Sequence, residues 1–281
     1  MASEELQFPR GKAFPIQSPL FWVGEKDRYL RQLLISDIEE LTGRRLLVYY
    51  SDCESAAQID PSDDKYLLEL LGDGAGAPTD LLLETNGGFT DATEKVVSIL
   101  RDQIGDLRAI IPKRAKSNGT LLALAAREIV LGPASELGPI DPAIALAPDQ
   151  FVPAQFIVQA AQTQPAQVNL IVLQAADHAI KQTQKLAAHL LRSGMLKGKE
   201  EGDVKRVVDE LSTRDVYHSH GSVIDHREAA RLGLNVTYLG ADDPLWKWIW
   251  LLRCIYEHDA RRRGVIKVFE GRRVSNSIRQ V

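Results

Sequence analysis

Between residues 45 and 131, apolar strand-type runs and amphipathic helical stretches alternate at roughly 25-residue spacing. No other feature constrains the fold as strongly. The runs 45–50, 80–84, 107–111 and 128–131 are short, apolar and closed by Gly, Pro or Asn signals. Between them, 63–71 carries Tyr66, Leu67, Leu70 and Leu71 on one helical face. The stretch 91–104 opens with Asp91 and Glu94 at capping-box spacing, and 117–126 is small and helix-favouring. Strands fed through helices in this way pair in parallel through right-handed crossovers. The expected fold class is therefore α/β, a mostly parallel sheet covered by helices.

The flanking segments read differently. Residues 1–20, with Pro9, Pro15 and Pro19, read as an extended arm, and a helix over 26–41 is stopped by Gly43. After Pro153 the chain is rich in Ala, Gln and Leu, which predicts long helices broken near Pro165. A helix over 200–211, a loop over 217–224, a short helix over 225–232 and a last strand over 235–239 follow. Residues 241–281 hold nine Lys or Arg against five Asp or Glu, which reads as a helix and a solvated basic tail. The expected organisation is an arm over 1–20, a catalytic domain over 21–240 and a C-terminal helix and basic tail over 241–281.

Composition removes several function classes. A net charge of −4 gives no global basic field, so no nucleic-acid partner is expected. No apolar run reaches 18 residues and the first residues lack an apolar leader core, so a soluble, cytoplasmic protein is expected. The tryptophans of 245–252 (Trp246, Trp248, Trp250) read as an assembly surface, with membrane-surface binding the lesser use. Cys53 and Cys254 make no disulfide framework and no CxxC pair, and no metal or cofactor is expected.

Two places combine backbone freedom with polar groups. Asn86-Gly87-Gly88 lies where a buried strand ends and a helix begins, and its N–H groups can stabilise negative charge. The spacing of a nucleotide-binding glycine loop is absent. Lys116-Ser117-Asn118-Gly119-Thr120 lies at the equivalent end of the next strand. There Ser117 reads either as a helix N-cap or as a nucleophile beside backbone donors. Open α/β sheets gather their sites at that edge.

Leu83-Glu84-Thr85-Asn86-Gly87-Gly88 followed by a helix resembles the strand–Gly-Gly–helix segment of the Clp protease, signal peptide peptidase A and crotonase superfamily. The run from Ala115 to Ala126 is similar to that superfamily's nucleophile-bearing helix. Glu128–Pro133, Glu136-Leu137-Gly138-Pro139-Ile140-Asp141-Pro142, Ser219-His220-Gly221 and 228–234 resemble one branch, the serine dehydrogenase proteinase (SDH_sah) family. The resemblance implies a Clp/crotonase-like spiral of ββα units and a serine peptidase or related acyl hydrolase. Ser117 takes the nucleophile position, and Gly87 and Gly88 the oxyanion position, completed by Asn118. Peptides or unfolded chains are the implied substrates and a homo-oligomer the implied assembly.

The general base stays open at this level. Clp proteases carry a histidine about 25 residues after the serine, where this chain has Ile140-Asp141-Pro142. The candidates are His220, then His218 in the same loop, with Lys181 and Lys185 as the alternative that signal peptide peptidases suggest. Asp141, Asp215 and Asp225 are the candidate orienting carboxylates. Two rival functions remain: a catalytically silent Clp-like assembly or partner-binding protein, and an acyl-thioester enzyme of crotonase type.

Overall fold

The computed structural model of the chain describes residues 18–72, 76–147 and 150–279. The arm expected over 1–20 lies almost wholly outside the described residues. Helix α1 (Pro19–Gly24) leads into α2 (Lys26–Thr42), β1 (Arg45–Ser51), α3 (Asp63–Leu71), β2 (Thr79–Glu84) and α4 (Thr90–Gln103). Next come β3 (Leu107–Ile111), β4 (Arg114–Ala115), α5 (Asn118–Leu124), β5 (Glu128–Leu131) and β6 (Glu136–Leu137). A hairpin of β7 (Ala143–Ala147) and β8 (Gln150–Pro153) precedes α6 (Ala154–Thr163), a 3-10 turn and α7 (Leu170–Ser193). The chain continues through α8 (Glu201–Ser212), α9 (His226–Leu232), β9 (Val236–Tyr238), α10 (Pro244–Arg263), β10 (Val265–Glu270) and β11 (Ser275–Arg279).

The main sheet has the order β11-β10-β1-β2-β3-β5-β9. From β1 to β9 every pairing is parallel, as the alternation of strands and helices predicts. Strand residues point alternately to its two faces. Leu46, Val48, Tyr50, Leu82, Ile110 and Val130 join the core built by α2 and α10. Leu47, Tyr49, Leu81, Leu83, Ala109 and Ile111 join the core built mainly by α3, α4, α5 and α7 to α9. Burial on both faces explains why these strands read as continuous apolar runs.

A second tier of short parallel steps sits beyond the strand ends. Ile59 bridges Gly88, Thr85 bridges Ala115, and β4 pairs with β6. Strand, short second strand and helix thus recur along the chain, the ββα spiral of a Clp-like fold. This tier brings the Gly87-Gly88 turn and the Ser117 turn side by side.

Two expectations are corrected, the solvated tail and the Asp91 cap. The basic tail is not wholly solvated: Arg261, Arg262, Arg263, Arg272, Arg273 and Arg279 are exposed, but β10 pairs antiparallel with β1 inside the sheet, and Phe269 is fully buried. Its charges misled because their partners are remote in sequence. Lys267 binds Asp63 at 2.8 Å, and Glu270 accepts from Arg31 at 2.8 Å and from the Tyr256 hydroxyl at 2.5 Å. The tryptophans of α10 are divided between core and surface, with Trp248 and Trp250 half-buried. Trp246 is buried with its indole where a Gly132 side chain would stand, and Trp248 and Trp250 lie against the α2–α10 core. Asp91 does not cap α4 either; Phe89 holds the N-cap position and no side chain caps it.

Phe269 packs 4.8 Å from the Tyr49 ring and 5.1 Å from Tyr66. Phe269→Ala is therefore expected to cost about 3–5 kcal/mol, read as a lowered urea midpoint, against less than about 0.5 kcal/mol for a solvated tail position.

Candidate active site

Ser117 lies in the turn from β4 into α5, at φ 54° and ψ −121°. Among the described residues it is the one non-glycine with a positive φ. Such a backbone costs on the order of 1–3 kcal/mol and persists only where its surroundings enforce it. The N-cap reading of this serine is not met, since its side chain makes no capping hydrogen bond. A sharp, strained strand-to-helix turn is the geometry that lifts a nucleophile's hydroxyl clear of the sheet.

The enforcement comes from the glycine turn. Gly87, at φ 104°, lies so close that an added Cβ would stand 2.9 Å from both Ser117 Cβ and the Lys116 carbonyl oxygen. Gly88 packs against Ile59, where a Cβ would come within 2.3 Å of backbone atoms. Thr85 and Lys116 are joined by a backbone hydrogen bond of 3.0 Å, which fixes the two turns to each other. The Gly87 N–H donates to the Thr85 hydroxyl at 3.1 Å. Among the described residues, neither the Gly88 N–H nor the Asn118 N–H donates to a protein acceptor. The Asn118 side chain does not reach toward a ligand. Its Nδ2 donates to the Gly88 carbonyl at 2.6 Å and ties the glycine turn to α5, while Oδ1 is buried without a partner.

Ser117, Gly88 and Asn118 line a cleft of about 280 Å³, and its lining also includes Asp141, Phe151, Thr183 and His220. Asp141, 2% exposed, accepts from His220 Nδ1 at 2.8 Å through one oxygen and from Arg214 Nε at 2.6 Å through the other. An imidazole held at Nδ1 by a carboxylate keeps Nε2 free as a proton acceptor. Ser117 and His220 share the cleft without a hydrogen bond between them. Such contacts are commonly loose in an empty site and tighten on substrate.

The other candidates fall elsewhere. His218 is exposed, with Nδ1 3.0 Å from the Arg214 carbonyl. Lys181 is 69% exposed on its side chain and pairs with Asp177, and Lys185 is exposed. Neither lysine lines the cleft. Asp225 caps α9, and exposed Asp215 accepts a 3.3 Å bond from Gln155. Sequence reasoning missed Arg214, Thr183 and Phe151, none of which belongs to a motif. It also passed over Lys116, whose position immediately before the serine was the available signal. Among the described residues no group of His, Cys, Asp or Glu is arranged to hold a metal ion, and no helix is long and apolar enough to cross a membrane.

A spiral of ββα units with a strained serine beside an open glycine turn defines a Clp-like α/β protein. Residues 60–268, well over half of the chain, match the family described as ClpP-like SDH-type serine proteinases, and the chain belongs to that family. It is 31% identical over 196 residues to the uncharacterized protein MJ0137 of Methanocaldococcus jannaschii, covering 68% of this chain and 62% of that protein. A second uncharacterized protein of that organism, MJ1495, is 32% identical over 141 residues, covering 49% of this chain and 47% of its own length. The chain thus spans less than two thirds of either relative. Among solved structures it is similar to a mutant of the 1510-N membrane-bound stomatin-specific protease, with 16% identity, 66% of this chain and 76% of that one covered, and a TM-score of 0.43. ClpP1 from Listeria monocytogenes gives 16% identity, 74% and 98% coverage and a TM-score of 0.43.

Gly87→Ala is expected to lower stability by about 1–3 kcal/mol, because it adds both a backbone penalty and a clash with the Ser117 turn. Gly105, with nothing within 4 Å of an added Cβ, is the control, and Gly105→Ala is expected to stay within about 0.5 kcal/mol in the same denaturation series.

Proposed function

We propose that this protein is a serine peptidase that cleaves peptide bonds through an acyl-enzyme on Ser117. Three observations favour the reading together: the strained, uncapped Ser117, the two open N–H groups beside it, and an Asp141-bound imidazole in the same cleft. The single most telling one is the backbone of Ser117, since nothing in a purely structural turn calls for a non-glycine residue at φ 54°.

In this mechanism the Ser117 Oγ attacks the scissile carbonyl carbon while His220 Nε2 takes the hydroxyl proton. The carbonyl electrons move onto oxygen, and the Gly88 and Asn118 N–H groups receive that oxyanion. Collapse of the tetrahedral species breaks the C–N bond, and His220 returns its proton to the departing amine. Water then repeats the sequence on the ester and frees Ser117. Asp141 keeps Nδ1 protonated and steadies the imidazolium; Arg214 fixes the second oxygen of Asp141 and so its direction. This order departs from the Clp pattern, because Asp141 occupies the stretch where those proteases carry their histidine and the base comes from a later loop. Lys181 and Lys185 have no place in it. Peptides and unfolded chains are the proposed substrates, as the family membership suggests, and a homo-oligomer is the proposed assembly.

The thioester alternative is disfavoured by Glu84. Its carboxyl is buried behind the glycine turn and bound by Arg253 at 2.8 Å, and burial raises its pKa. It therefore supplies no carboxylate to the cleft.

Intact-mass spectrometry after fluorophosphonate treatment tests the reading. One adduct is expected on the parent and none on Ser117→Ala. His220→Gln and Asp141→Asn are each expected to slow labelling by about 100-fold or more, with Lys181→Ala and Lys185→Ala unchanged. A folded parent that takes no adduct would instead support the silent-assembly reading. Acyl-thioester turnover that survives Ser117→Ala would support the crotonase-type one.

A further inference from the structure

Lys116 precedes the nucleophile, yet its side chain runs away from the cleft and is only 11% exposed. Its Nζ donates to the Leu137 carbonyl at 3.0 Å and the Ser222 carbonyl at 3.0 Å, and lies 3.2 Å from Glu136 Oε2. Two of the three ammonium N–H groups are thus bonded to carbonyls, and Glu136 stands beside the group as its ion-pair partner.

Where those acceptors sit is the informative part. Leu137 belongs to β6 and exchanges two backbone hydrogen bonds with Ile224. Ser222 closes the turn that carries His220, its N–H donating to the Ser219 carbonyl at 3.0 Å. Asp141 grips the same histidine from the ring side. Among the described residues, the Lys116 ammonium makes the one side-chain hydrogen bond between residues 113–118 and the 217–224 loop. Gly138 leaves room for the stem, since a Cβ there would stand 2.6 Å from Lys116 Cδ.

We infer that Lys116 is a positioning residue for acyl transfer, its ammonium fastening the turn that carries His220 to the turn that carries Ser117. The inference rests on the peptidase reading above. Charge-assisted bonds to carbonyls are roughly twice as strong as neutral ones, which suits a link that must hold a loop without regular secondary structure. Burial lowers the pKa of this ammonium, and Glu136 opposes that effect. A displacement of about 1 Å between reacting groups can cost two orders of magnitude in rate, so a fastening of this kind acts on chemistry without touching substrate.

The test combines amide hydrogen exchange with fluorophosphonate labelling on the full chain, for Lys116→Met and Lys116→Arg. In Lys116→Met, exchange over 217–224 is expected to rise about tenfold while strands 107–111 and 128–131 keep their protection, and labelling is expected to slow about tenfold or more. Lys116→Arg keeps the charge and is expected to recover part of both. If Lys116→Met does not fold, Lys116→Gln, too short to span the same acceptors, takes its place. Loop exchange and labelling both within twofold of the parent would overturn the inference. A looser loop with unchanged labelling would reduce Lys116 to a structural tie and overturn its role in positioning. A parent that takes no label while the loop still loosens would overturn the peptidase reading, and the positioning role with it.

Discussion

Two backbone turns in this protein lie so close that no methyl group fits between them. At Gly87 the chain passes against the Lys116 carbonyl and the Ser117 side chain, and the backbone bond from Lys116 to Thr85 locks the approach. The rest of the site is arranged around that contact. It forces Ser117 into its unfavourable conformation, denies the serine its usual capping role, and leaves the Gly88 and Asn118 N–H groups open. A single larger residue at position 87 would relax all of these at once.

What enforces the contact is distributed over the fold. The parallel sheet aligns the ends of β2 and β3, and the second tier of short strands carries the alignment outward to residues 85, 88 and 115. In the same cleft, Asp141 is held by Arg214 and in turn holds His220. The strained serine and the oriented histidine therefore sit on separately supported elements, with Lys116 and the β6–Ile224 bridge between them.

The sequence disclosed the first half of this arrangement and obscured the second. Strands 45–50, 80–84, 107–111 and 128–131 were readable because both faces of each are buried, which leaves an uninterrupted apolar run. Ser117 and Gly87-Gly88 were readable because turns that tight restrict residue type. The β7–β8 hairpin was not, since its residues are largely exposed and follow neither strand nor helix periodicity strongly. Strand β10 was hidden by Lys267 and Glu270, which look solvated until Asp63 and Arg31 are brought to them by the fold. The pairing of Asp141 with His220 likewise was not legible, since the two stand 79 residues apart in the chain.

The position of β10 carries a consequence for how the molecule is made. It covers the edge of β1, pairing Ser51 with Lys267. During synthesis that edge must wait until more than two hundred further residues have emerged from the ribosome. Until then a tyrosine-bearing strand offers open backbone groups to whatever passes. Loop closure over such a distance is slow, and an unpaired edge is where neighbouring chains pair wrongly. A segment made more than two hundred residues later is therefore the one that protects β1, and low temperature or chaperone capture during expression should govern the yield of native protein more than the stability of the finished sheet does.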